Sequence, residues 1–149
     1  MTPRAALLAV AAGAVLAGCS SDGEESLPAA CHSAEADVRA ALTSAPGPVD
    51  LEGTPLSGCL VKSSDPAEIQ EVGAAYLAVA AELATAAAKH PEAEQALRLG
   101  YLVGAVRRGA EGTQGIHSEL VRRLEQEAAP VAGNSVAYTR GLRIGRGSG

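Results

Sequence analysis

The segment from Asp65 to Lys89 constrains the fold of this chain most. Asp65-Pro66-Ala67-Glu68 combines a capping aspartate, a proline at the first helical position and a glutamate three residues after the cap. Ile69, Val72, Tyr76, Val79 and Leu83 then recur at three- and four-residue steps, which makes one apolar helical face. This pattern predicts a helix from Pro66 to about Lys89, broken by His90-Pro91 because a residue before proline avoids the α region. From Val72 to Ala88 the only charge is Glu82. Such a helix either spans a bilayer or forms the centre of a bundle. The stretch is short for a span of about 20 residues. A carboxylate near its middle costs about 2.5–3.5 kcal/mol in a membrane. A buried bundle helix is therefore expected.

Composition limits how that bundle is packed. Phe and Trp are absent and Tyr occurs 3 times, so the core is built from Ala, Leu and Val. These residues bury less area than aromatics, and helices carrying them must approach closely to be stable.

Three further helical patterns surround the central one. A first helix is predicted from Pro28, with Cys31, Val38 and Leu42 on one face, ended by Ala45-Pro46-Gly47-Pro48. Residues 46–64 are rich in Pro and Gly and read as an irregular connection, with Cys59-Leu60-Val61 as its one extended candidate. From Glu92 to about Ala110, Leu99, Leu102, Val103 and Val106 face inward, and Glu94 and Arg98 pair outward. Gly100 and Gly104 share one side of this helix, and a close crossing against the alanine-rich helix is expected there. After a turn at Gly112–Gly115, the residues Ile116, Leu120, Val121 and Leu124 define a last helix ending near Ala129-Pro130. The fold class expected is all-α, a small bundle of about four helices with a Pro/Gly-rich loop.

The N-terminus has a different grammar. Arg4 precedes an uncharged apolar stretch from Ala5 to Ala17, followed by the small residue Gly18 and by Cys19. Basic start, apolar run and small-residue cleavage site are the layout of a secretory signal. Leu16-Ala17-Gly18-Cys19 resembles the lipobox of bacterial lipoproteins. The resemblance covers only this segment. It implies that residues 1–18 are a signal peptide, that the Cys19 sulfur carries diacylglyceryl with palmitate-type chains, and that the protein is held at the extracytoplasmic face of the cell membrane. Two acyl chains make that attachment durable, since a single chain binds only marginally. The alanine-rich composition is similar to that of high-GC Gram-positive proteins. Residues 19–27 then read as a flexible tether, 28–130 as the helical domain, and 131–149 as a weakly ordered basic tail.

With Cys19 assigned to lipid by that resemblance, Cys31 and Cys59 remain, in a compartment that permits disulfides. A Cys31–Cys59 bridge is expected, pinning the Pro/Gly-rich loop to the first helix; the alternative is a pair of buried thiols.

Charge and motif content narrow the function classes. Without Arg4 the 12 basic residues become 11 against 17 acidic ones, and the net charge moves from −5 to −6. That balance argues against nucleic acid as a partner. No carboxylate follows Glu127, while Arg140, Arg143 and Arg146 lie in the tail. His32, His90 and His117 stand at no metal-ligand spacing, so no metal is expected. No GxSxG occurs, and Gly145-Arg146-Gly147-Ser148-Gly149 opens no helix that would hold a phosphate. Neither catalytic residues nor a cofactor are expected. Gln114 and His117, beside the start of the last helix, are the candidate ligand rim. The leading expectation is a non-enzymatic interaction or scaffold module with an envelope protein partner; the alternative is a small-molecule-binding or hydrolytic domain with its polar site at Gln114 and His117.

Overall fold

The computed structural model describes residues 27–61 and 65–149, and within them the protein is an all-α bundle with one small hairpin. The expected signal peptide (1–18), Cys19 and all of the expected tether but residue 27 lie outside the described residues.

Leu27, the first described residue, is buried, and its backbone N–H donates to Glu68 Oε1 at 3.4 Å. A 3-10 turn, Ala29–His32, carries Cys31, and helix α1 follows over Glu35–Leu42. The single first helix expected from Pro28 is thus two pieces. Ser33 leaves the turn with extended backbone, and Val38 and Leu42 alone supply the buried face of α1.

The connection is more regular than its composition implies. Strands β1 (Asp50–Leu51) and β2 (Thr54–Pro55) pair antiparallel, with Asp50 opposite Pro55 and Leu51 opposite Thr54. Glu52 and Gly53 form the turn with φ of 49° and 85°, the left-handed pair that matches strand twist in a two-residue hairpin. Asp50 Oδ1 accepts from Gly53 N–H at 2.7 Å. The expected extended run Cys59-Leu60-Val61 is instead one helical turn, α2 (Gly58–Val61). Its helical form places both Cys59 and Leu60 in the core. Cys31 and Cys59 form the disulfide, with 5.4 Å between their Cα atoms.

Helix α3 spans Pro66–Lys89, with Asp65 Oδ1 accepting from Ala67 N–H at 2.8 Å. Ile69, Val72, Tyr76, Val79 and Leu83 are all buried. By length and composition α3 is apolar enough to cross a membrane, yet its apolar stripe packs inside the domain against α1, α4 and α5. The buried Tyr76 hydroxyl donates to Leu56 O at 2.9 Å, which ties α3 to the loop.

Helices α4 (Glu94–Gly109) and α5 (Ile116–Ala132) follow. The turn between them uses φ of 77° at Gly112 and 67° at Gly115. The outward Glu94–Arg98 pair forms at 2.8 Å. Helix α5 passes the expected stop at Ala129-Pro130 and continues to Ala132. Proline removes only one hydrogen bond this close to the end, and buried Ala128 and Val131 hold the final turn against the core.

The largest departure concerns residues 131–149. They are no weakly ordered tail: Val136–Ser148 is helix α6, packed along α4. Ser135 caps it by accepting from Tyr138 N–H at 2.9 Å. The Glu92 carboxylate accepts from Val136 and Ala137 N–H at 3.0 and 3.2 Å, placing negative charge at the positive end of the helix. Gly141 and Gly145 of α6 lie against the α4 backbone, and Gly100 and Gly104 of α4 lie against that of α6. The close crossing expected at Gly100 and Gly104 is real, but its partner is α6, not the alanine-rich helix. Contact runs from Gly100 at Tyr138 to Gly104 at Leu142, so the two helices run parallel.

Candidate functional site

The candidate site lies on the flank of α3, where its buried face gives way to solvent. Ile69, Gly73 and Leu77 stand at four-residue steps and line up along the helix. Opposite them α5 presents Ile116, Glu119, Leu120 and Arg123, again at helical spacing. Together they bound a surface groove of about 570 Å³. Gly73 explains why the helices fit: an added Cβ there would stand 3.1 Å from Leu120 Cδ1, so leucine packs where a side chain would be. Ile69 and Leu120 are buried at the base, Leu77 and Ile116 are half-buried along the walls, and Gln70, Glu119 and Arg123 are exposed at the rim.

Charge at the rim is local. Arg122 donates from Nη2 to Glu119 Oε1 at 2.6 Å and from Nε to Oε2 at 2.9 Å. That hydrogen bonding holds the Glu119 carboxyl below its ordinary range, assisted by the charges of Arg122 and Arg123. Arg123 has no ion pair among the described residues. A hollow of about 640 Å³ lies on the far side of Ala74, between the 3-10 turn, α1 and α3. There His32 Nδ1 meets Glu71 Oε2 at 3.1 Å, and Arg39 holds Glu82 at 2.6 Å.

Gln114 and His117 are not brought together. Gln114 is exposed in the turn before α5. The His117 ring faces the interior, where its Nε2–H donates to Leu60 O at 3.1 Å. It satisfies a carbonyl of α2 and ties α5 to that turn, a structural task. Among the described residues no three His, Cys, Asp or Glu side chains gather as a metal-holding group.

An apolar trough with a charged rim does little chemistry. Catalytic and small-molecule sites converge several polar groups on one point. Here the polar atoms stand apart along two helices, which suits an apolar face of another helix or peptide, read by side chains three and four apart. Sequence reasoning missed the groove because Gly73 carries no side chain to mark it; the Ile69/Gly73/Leu77 spacing beside the core stripe was the available signal. Comparison with protein-family models, with curated proteins and with solved structures gives no match.

Proposed function

We propose that the protein is a lipid-anchored extracytoplasmic lipoprotein whose helical domain binds a protein partner through the α3/α5 groove. The observation that carries the anchor is Leu16-Ala17-Gly18-Cys19 behind an apolar, uncharged run. The Cys31–Cys59 bridge supports the same reading, since structural disulfides belong to oxidising compartments. The groove supports a partner of amphipathic helical or extended peptide chemistry: apolar at its base, with Glu119 and Arg123 at the rim to set register. The domain then acts as a scaffold held at the membrane surface and not as an enzyme.

Two measurements test this. Cells fed a tagged fatty acid should label the wild-type protein and not Cys19→Ala, and the variant should leave the membrane fraction; equal retention without label refutes the anchor. A photo-crosslinker at Gln70 or Arg123 should capture one discrete protein, while the same probe at Thr85, on the outer side of α3, should not. Equal capture from all three positions refutes the groove.

A further inference from the structure

The ordered C-terminal helix creates a surface that a disordered tail would not have. On α6 the face opposite Gly141 and Gly145 carries Val136, Arg140 and Arg143, with Arg146 at its edge. All four are exposed, and Val136 is 76% accessible. The helix holds no carboxylate. Arg108 of α4 extends the row, its Nη1 donating to Gly147 O at the C-terminal end of α6.

Neighbouring acids do little to neutralise this row. Glu92 is engaged by the N–H groups that open α6, and Glu94 is paired with Arg98. Glu111 approaches Arg146 only at 4.0 Å, and Arg140 and Arg143 have no ion pair among the described residues. Against a chain of net charge −5, the row is a local inversion of sign.

We propose that this face of α6 rests on anionic phospholipid headgroups, orienting the domain on the membrane. Guanidinium groups suit phosphate oxygens, and an exposed valine between them suits the headgroup boundary. A shallow hollow of about 280 Å³ beside Val136 and Arg140 is shared with Glu92 and Glu94, so an acidic side chain seated in it would meet carboxylates, which favours headgroups resting on the exposed arginines over an acidic protein. Placement agrees. Leu27 is held at the start of α3, Cys31 joins Cys59, and the neighbouring Ser57 hydroxyl donates to Gly149 O after α6. The start of the described chain and the C-terminal end of α6 therefore share one end of the bundle. The eight-residue step from Cys19 to Leu27 can span up to roughly 28 Å. The orientation rests on the lipid-anchor reading, whereas the headgroup contact does not.

The test is partition of the purified protein between buffer and vesicles, comparing pure phosphatidylcholine with an equal mixture of phosphatidylcholine and phosphatidylglycerol. Binding to the neutral vesicles reports the N-terminal anchor alone. The ratio between the two vesicle types reports α6. Wild type should favour the anionic vesicles by roughly tenfold. That ratio should fall toward one as salt rises from about 0.05 to 0.5 M. Arg140→Gln/Arg143→Gln/Arg146→Gln should abolish the preference with helix content unchanged. The charge-matched set Arg39→Gln/Lys89→Gln/Arg122→Gln should retain most of it. A wild-type ratio at or below one, as repulsion of an acidic protein would give, overturns the proposal, and so does equal loss in both variant sets.

Discussion

The Gly100 backbone of α4 lies so close to Tyr138 of α6 that a β-carbon on the glycine would fall 2.1 Å from the Tyr138 carbonyl oxygen. Gly141 repeats the relation in reverse, its added Cβ falling 2.0 Å from Leu97 O. Four glycines thus let two backbones touch, and a core without Phe or Trp gains contact area from main chain as well as from side chains.

Gly100→Ala and Gly141→Ala are each expected to cost about 3 kcal/mol, because backbone must shift to admit the methyl. Gly147→Ala on the same helix has open space around it and should be neutral or gain up to about 1 kcal/mol from helix propensity. Urea unfolding of the three variants checks this; equal effects would refute the crossing.

The Cys31–Cys59 bridge closes a loop of about 29 residues, for which chain entropy alone gives roughly 3.5 kcal/mol. Cys31→Ala/Cys59→Ala should lose stability of that order, and added reductant should have no further effect on it. Wild type in reductant should approach the variant. Unfolding midpoints with and without reductant decide the matter.

Burial holds the Tyr76 phenol well above its ordinary range, and burial also raises Tyr138, opposed by the charge of Arg107. For a group raised on folding, the stability it contributes is complete below the unfolded value near 10 and is lost as pH rises toward the folded one. Stability should therefore fall above about pH 10, and less steeply in Tyr76→Phe. Ultraviolet titration should show Tyr76 ionising only as the domain unfolds. At neutral pH Tyr76→Phe should cost about 1–3 kcal/mol, since Leu56 O loses its buried donor.

His117→Ala should cost about 1–3 kcal/mol through loss of its buried hydrogen bond to the Leu60 carbonyl. Partner capture from the groove should survive at temperatures where the variant is folded. Gln114→Ala, altering an exposed turn residue, should change neither stability nor capture. Loss of capture in folded Gln114→Ala would restore a functional rim.

Much of the fold follows from local chemistry. The cap at Asp65, the five-residue stripe of α3 and the outward Glu94–Arg98 pair need only neighbours within a turn or two, so spacing along the chain is sufficient to find them. The hairpin was hidden because its strands are two residues each, too short for any alternation to register. Of the candidate site, Ile116 and Leu120 were visible as a helical stripe. Their opposition to Gly73 was not, because it joins residues far apart in sequence.

Residues 131–149 show where the division falls. Rich in glycine and weak in periodicity, they have little reason to be helical alone, since each glycine costs about 1 kcal/mol relative to alanine. Spacing along the chain determines where α3 starts and stops and which face it buries. Only the tertiary structure turns the glycines of α6 from helix breakers into its contact surface, because their missing side chains are an advantage only when Gly100 and Gly104 stand opposite.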